Sequence, residues 1–85
     1  MNNKLEIFKK RLIYRAGYRG TKEMDILLSS FVNKNINYFD KILLSELDKF
    51  LDLEDEVILN FYHYGKIEKE IDKNPISKIF KKFKL

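Results

Sequence analysis

The three arginines of the chain are the residues whose type and spacing best suit a recognition task. Arg11, Arg15 and Arg19 stand four residues apart, whereas the other 14 of the 17 basic residues are lysines. A guanidinium is planar, carries several donors and is weakly hydrated, so it suits oriented contacts better than a lysine ammonium does. The alternative interpretation is a chance arrangement on a solvated helix face.

The sharpest feature is a short segment between two glycines, Gly17 and Gly20. Arg19 and Glu23 stand four residues apart across Gly20. We expect the guanidinium and the carboxylate to project from one exposed edge, where Gly20 lets a partner's backbone approach closely. The alternative is an intrachain Arg19–Glu23 pair with Gly20 needed only for the turn. Such an exposed pair stabilises a fold by only about 0–1 kcal/mol.

Residue content excludes most catalytic chemistries. The chain has no cysteine and one histidine, His63, which rules out a thiol nucleophile, a thiolate metal site and a multi-histidine cluster. Gly17 and Gly20 lie between two predicted helices rather than in a phosphate-binding loop after a strand. We therefore predict no catalytic, metal-binding or cofactor-binding residue and no enzymatic activity. His63 is predicted to be structural or merely exposed.

Apolar spacing predicts the helices that must position this turn. Leu5, Phe8, Leu12 and Ala16 form one stripe and predict a helix over residues 4–16. Thr21 can cap a second helix, and a third helix is expected after residue 37. The predicted inward residues of these two helices are Met24, Leu27, Leu28, Phe31, Phe39, Ile42, Leu43, Leu47, Phe50 and Leu51.

Two further helices complete the predicted fold. Acidic residues 54–56 suit the first turn of a fourth helix that ends at Gly65. Asn74 and Pro75 suit the start of an amphipathic fifth helix over residues 75–85, whose apolar stripe is expected to close the bundle. Six phenylalanines fall at core spacing: Phe8, Phe31, Phe39, Phe50, Phe61 and Phe80.

Length and composition allow one hydrophobic core. The chain has 85 residues, of which 45% are hydrophobic and 14% aromatic. A chain of this size supports one small domain and not two. The sequence therefore predicts an all-α fold, a compact single-domain bundle of about five short helices spanning residues 1–85. We expect this bundle to be monomeric.

The charge is unevenly distributed along the chain. The formal net charge is +4, yet residues 1–23 carry +5, residues 24–62 carry −5 and residues 63–85 carry +4. This segregation predicts either electrostatic steering toward a partner or basic ends that fold against the acidic middle. It weakens the case for a uniformly basic nucleic-acid surface.

The segments around the turn resemble a known family. The segments 11–15 (Arg-Leu-Ile-Tyr-Arg) and 18–25 (Tyr-Arg-Gly-Thr-Lys-Glu-Met-Asp) are similar to the Arg-Gly-x-x-Glu signature and flanks of the FAD assembly factor SdhE family, also called succinate dehydrogenase assembly factor 2. The similarity continues through residues 47–51 and 53–62, and covers about residues 4–66. The chain departs from the family pattern at Met24, at residues 55–58 and at Phe61.

The resemblance implies a five-helix bundle that acts as an assembly factor. It would bind the apo flavoprotein subunit of succinate dehydrogenase, with fumarate reductase as a further candidate client, and promote covalent attachment of FAD to that subunit. The FAD would be attached to the client, so no cofactor would be held by this chain. Carried onto this sequence, the partner-binding residues are Arg19, Gly20 and Glu23, flanked by Arg15, Tyr18 and Asp25.

Other functions remain open at this stage. A sequence pI of about 9.3 and Tyr14 and Tyr18 among arginines fit a small nucleic-acid-binding protein. An antitoxin-like regulator is a further alternative from the family resemblance, and these residues speak neither for nor against it. The stripe in residues 75–85 also fits an interfacial membrane helix, although we expect no stable membrane insertion and no nucleic-acid partner. The first residues have no apolar signal segment or import presequence, so we expect a cytoplasmic location.

Overall fold

Five α-helices and two short 3₁₀ helices make up the part of the chain that the structure describes. The computed structural model describes the backbone of residues 3–85 and the side chains from Lys4 onward. The α-helices are α1 (Asn3–Ala16), α2 (Lys22–Asn35), α3 (Lys41–Leu51), α4 (Asp55–Tyr64) and α5 (Pro75–Lys82). The 3₁₀ helices cover Ile36–Tyr38 and Ile71–Lys73, and residues 3–85 contain no strand. The predicted all-α fold is therefore confirmed.

The helix ends follow local capping chemistry. Met24 N–H donates to Thr21 Oγ1 at 3.2 Å, which begins α2 as predicted. The side chain of Asn74 accepts from Ile76 N–H at 2.8 Å, and Pro75 is the first residue of α5. Gly65 ends α4 with a φ of 69°, a left-handed conformation that favours glycine.

Three predictions about the elements are wrong in detail. Helix α3 was expected to include Phe39, yet it begins only at Lys41, because the Asp40 side chain accepts from Leu43 N–H at 2.9 Å and caps it. Helix α5 ends at Lys82 rather than at residue 85, since Phe83 is extended. Ile42 is 73% exposed rather than buried. It lies on the side of α3 opposite Leu44, Leu47 and Leu51, which form the buried stripe.

The core draws side chains from all five α-helices. Leu12, Phe31, Phe50, Ile58 and Phe80 are fully buried in one cluster. Rings meet edge to face at its centre, with the centroids of Phe31 and Phe80 5.0 Å apart. The remaining predicted core phenylalanines, Phe39 and Phe61, are also buried, whereas Phe8 is only partly buried.

The apolar stripe of α5 closes the bundle. Ile76 and Phe80 are fully buried, as the bundle-closing interpretation predicts. Among the described helices, none combines the length and the apolar character that crossing a bilayer needs. Helix α1 packs against both α2 and α3. The loop that joins α1 to α2, residues 17–21, therefore lies beside the junction of α3 and α4.

Candidate partner-binding site

The guanidinium of Arg19 points into the molecule rather than out of it. Its Nε donates to Asp55 Oδ1 at 2.7 Å, and its two terminal nitrogens donate to the carbonyl oxygens of Leu51 and Leu53, each at 2.8 Å. The side chain is only 10% exposed. The expectation that Arg19 projects from an exposed edge is therefore wrong.

The position of Arg19 follows from how α3 ends. The last carbonyl groups of a helix have no partner within the helix and carry partial negative charge. Leu51 is the final residue of α3, and Leu53 follows it before α4 begins. A planar cation with several donors can satisfy both carbonyls and one carboxylate together, which a lysine ammonium matches less well. Arg19 thus closes the C-terminal end of α3.

Two carboxylates hold the backbone of the α1–α2 loop. Asp55 uses its second oxygen, Oδ2, to accept from Gly20 N–H at 2.7 Å, while Asp25 Oδ1 accepts from Arg19 N–H. A methyl group at Gly20 would stand 3.0 Å from Asp55 Oδ2. A side chain at position 20 would therefore crowd this carboxylate of the same chain, which also fixes the backbone of the loop through the Gly20 N–H.

Glu23 pairs with His63 and not with Arg19. The alternative interpretation of an intrachain Arg19–Glu23 pair is therefore wrong. Glu23 Oε2 lies 3.3 Å from His63 Nε2, and the two side chains are 60% and 41% exposed. Glu23 lies in the first turn of α2, where the helix dipole favours negative charge. His63 belongs to the last turn of α4. Glu23 therefore stands at the surface, as predicted, with a neighbour that sequence spacing gave no reason to expect.

Arg15 joins α1 to α3 instead of reaching outward. Its guanidinium pairs with Asp48 and Asp52, and it also donates to the Asp48 carbonyl at 3.3 Å. The Arg15 side chain is 26% exposed. Together with the Arg19–Asp55 pair, these contacts place two cations of the basic N-terminal segment on carboxylates of the acidic middle. The interpretation that the basic ends fold against the middle is thereby confirmed for the N-terminal segment.

Two tyrosines stack on the outside of this region. The rings of Tyr14 and Tyr18 have centroids 4.4 Å apart and planes inclined by 21°. The two residues are 61% and 72% exposed. Tyr14 comes from the last turns of α1 and Tyr18 from the loop, two residues before Gly20. An exposed aromatic pair of this kind is typical of protein interfaces.

The predicted site residues therefore divide into two groups. Tyr18, Gly20 and Glu23 are exposed, whereas the side chains of Arg15, Arg19 and Asp25 make contacts within the chain. Those of Arg19 and Asp25 hold the loop, and that of Arg15 joins α1 to α3. The sequence interpretation did not assign Asp55, His63 or Tyr14 to the site. Asp55 lies 36 residues from Arg19, so only the segregation of charge along the chain hinted at that contact.

The arrangement suits recognition of a partner. In residues 3–85 there is no group of three or more histidine, cysteine or acidic side chains that could hold a metal ion. The exposed groups offer one carboxylate, a flat aromatic surface and a glycine with no side chain to block an approaching backbone. These groups lie on or beside a loop that five hydrogen bonds to Asp55, Asp25, Leu51 and Leu53 keep in one shape.

Comparison with known proteins gives a consistent set of relatives. A family model described as the flavinator of succinate dehydrogenase matches residues 10–84. A relative from Scheffersomyces stipitis, "succinate dehydrogenase assembly factor 2, mitochondrial", is 45% identical over 51 residues, which cover 60% of this chain and 34% of that protein. The protein of the same name from Lodderomyces elongisporus is 32% identical over 74 residues, covering 87% of this chain and 42% of that protein.

A third relative of that name, from Meyerozyma guilliermondii, is 35% identical over 71 residues, covering 84% of this chain and 49% of that protein. The chain thus spans between about a third and a half of the length of these three relatives. No solved structure matches it. The family match includes the whole α1–α2 loop and the α3–α4 junction that supports it.

Proposed function

The chain belongs to the flavinator family of succinate dehydrogenase, a family of assembly factors, and on that premise we propose that it binds the apo flavoprotein subunit of that enzyme. In this proposal it promotes covalent attachment of FAD to the subunit and then leaves it. The flavin and the new bond belong to the client, so this chain holds no cofactor and acts without catalytic residues. Its cytoplasmic location stays a prediction, whereas these relatives are named as mitochondrial proteins.

One observation carries the choice of surface: the Arg19–Asp55 pair fixes the loop backbone at the exposed Gly20, next to the exposed Glu23 in the first turn of α2. In this proposal Arg19 sets the shape of the loop through its contacts inside the molecule, and Glu23 contacts the client. Ordering a contact surface before binding removes part of the entropic cost of association. The proposal of Arg19 as a direct contact is replaced by a positioning role.

The physical effect that we propose is orientation. Holding two reacting groups in the right geometry can supply a large part of a rate enhancement without any catalytic group from the holder. The client provides the nucleophile and the flavin, and the loop stabilises the client arrangement in which they meet. The exposed Tyr14–Tyr18 pair would add apolar contact area beside the carboxylate of Glu23.

The contacts of the arginines argue against the nucleic-acid alternative. Arg15 pairs with two carboxylates and Arg19 with one, so two of the three arginines already have anionic partners within the chain. Phosphate binding would require these pairs to break, at the cost of leaving carboxylates unpaired. The nucleic-acid alternative requires strong, salt-dependent binding to generic DNA or RNA, and we expect only weak binding.

The experiment compares two acidic residues in cells that express the client subunit. Glu23→Gln removes the charge at the loop, and Glu6→Gln removes the charge of a comparably exposed residue on α1, 67% exposed against 60%. We expect in-gel flavin fluorescence of the client to fall about tenfold or more for Glu23→Gln and to be unchanged for Glu6→Gln. Flavin content at the parental level with both variants would exclude this surface. Equal loss with both would point to a general charge effect.

A further inference from the structure

A group of lysines surrounds the outer side of α5 and the end of α2. Lys78 and Lys82 lie one helical turn apart on the outward side of α5, and both are exposed. Lys84 follows the helix, and the Lys34 ammonium from the last turn of α2 stands 5.9 Å from the centroid of the Phe83 ring. We call these four residues, Lys34, Lys78, Lys82 and Lys84, the lysine face.

The lysine face surrounds a shallow apolar groove. The groove has a volume of about 300 Å³ and is lined by Lys34, Asn35, Ile79, Lys82, Phe83 and Lys84. Beyond it, Leu85 is 76% exposed. Three ammonium groups around two partly buried apolar side chains match an amphiphile, whose anionic head and apolar chain lie next to each other.

Among residues 4–85, no side-chain carboxylate pairs with this face. Residues 75–85 contain four lysines and no acidic residue. Within the described part of the chain, none of the four lysines of the face forms an ion pair with a carboxylate, in contrast to Arg15 and Arg19. The positive potential of the face is therefore available to a partner outside the chain.

We propose that the lysine face binds an anionic membrane surface by peripheral adsorption. The chemistry of the cations favours this partner, because four exposed lysines around a shallow groove suit diffuse attraction to many headgroups. Arginine suits the paired geometry of a protein carboxylate better, and the chain uses its arginines elsewhere. The groove then accommodates part of a lipid at the level of the headgroups.

This mode of binding differs from insertion of an amphipathic helix. The apolar stripe of α5 packs in the core, since Ile76 and Phe80 are fully buried. In the folded protein this stripe is therefore not available to insert into a bilayer. The chain would lie on the membrane as a folded bundle, with α5 intact. The proposal does not depend on the assembly function, because it uses a different set of residues from the α1–α2 loop.

The test measures co-sedimentation of the full chain with lipid vesicles. Vesicles of phosphatidylcholine alone are compared with vesicles containing about a third phosphatidylglycerol, at low and at physiological salt. We expect binding only to the anionic vesicles, weakened by salt. Inorganic phosphate at matched ionic strength is expected not to displace the protein, which distinguishes a membrane surface from a site for free phosphate.

A matched pair of triple variants locates the surface. The variant Lys78→Gln, Lys82→Gln, Lys84→Gln is expected to lower the partition coefficient about 100-fold, at roughly fivefold per lysine. The control Lys10→Gln, Lys41→Gln, Lys49→Gln removes the same charge from exposed positions on α1 and α3. Equal losses in the two variants, no binding to anionic vesicles, or tight binding to RNA instead would each overturn the proposal.

Discussion

The carboxylate of Asp55 stands between Arg19 and Gly20, 2.7 Å from the Arg19 Nε and 2.7 Å from the Gly20 backbone nitrogen. One side chain at the start of α4 therefore fixes both a guanidinium and a backbone N–H of the α1–α2 loop. Since Arg19 also satisfies carbonyls at the end of α3, the loop and the α3–α4 junction form one unit. Substitutions of Arg19 or Asp55 should therefore lower the stability of the fold first, and function as a consequence.

Replacing Arg19 tests whether this unit supports the fold. In Arg19→Ala, Asp55 loses its cation and the carbonyls of Leu51 and Leu53 lose their donors, so the free energy of unfolding should fall by about 2–4 kcal/mol. Arg19→Lys should lose somewhat less, because lysine keeps a positive charge beside Asp55. It should still be less stable than the parent, because one ammonium cannot reach all three acceptors with good geometry. Urea denaturation measures both variants.

A double-mutant cycle with Asp55→Ala separates the pair from the rest of the network. The coupling free energy should be at least about 1 kcal/mol if the two side chains interact as described. A cycle with no coupling, or an Arg19→Ala variant of native stability that has lost client flavinylation, would mean that the guanidinium works at the surface after all.

The helix boundaries could be predicted from the sequence, because they follow local capping chemistry. Thr21, Gly65 and the Asn74–Pro75 pair each mark a helix boundary by capping, and the structure has all three boundaries. Ile42 was assigned wrongly because α3 is rich in apolar residues, and a broad apolar stripe does not reveal which edge faces water. A periodicity argument needs polar residues on one side to fix the phase of a helix.

The contacts of the site were harder to predict from the sequence, because they join segments that are distant along the chain. The spacing of Arg19 and Glu23 suggested that they act together, yet they pair with Asp55 and His63, which lie 36 and 40 residues away along the chain. Spacing within a helix predicts which side chains share a face, and it does not predict which neighbour a side chain meets across the bundle. The charge segregation was the one signal of the Arg19–Asp55 pair, and nothing in the sequence indicated the Glu23–His63 contact.

Gly20 offers a second prediction, in comparison with Gly17. A methyl group at Gly20 would come 3.0 Å from the fixed Asp55 Oδ2, whereas one at Gly17 would meet the Ser29 hydroxyl at 3.3 Å. Because Asp55 is held by Arg19, we expect Gly20→Ala to destabilise the fold by about 1 kcal/mol and Gly17→Ala to stay within about 0.5 kcal/mol of the parent. Thermal denaturation measures both. If Gly20→Ala is the milder change, Asp55 moves freely and the loop is not fixed by it.

The stacked tyrosines give a third prediction, on binding rather than stability. Tyr14→Ala and Tyr18→Ala each remove an exposed ring, so stability should change by less than about 1.5 kcal/mol. Affinity for the apo client subunit should fall about tenfold or more if the rings lie in the interface. Tyr38, which is 85% exposed and lies outside the α1–α2 loop, supplies the control Tyr38→Ala. Titration calorimetry that finds all three variants alike would remove the tyrosine pair from the contact surface.

Ser77 gives a fourth prediction, which concerns the core alone. The residue is fully buried in α5, and within the described residues its hydroxyl has no hydrogen-bond partner. An unpaired buried hydroxyl destabilises a fold, and alanine is the better helix former, so Ser77→Ala should raise the free energy of unfolding by about 1 kcal/mol. Ser45→Ala, at an exposed position of α3, gives the gain from helix propensity without any change in burial. The difference between the two variants in urea denaturation isolates the cost of the buried hydroxyl. A Ser77→Ala variant less stable than the parent would mean that the hydroxyl has a partner in solution, such as a carbonyl of the preceding turn.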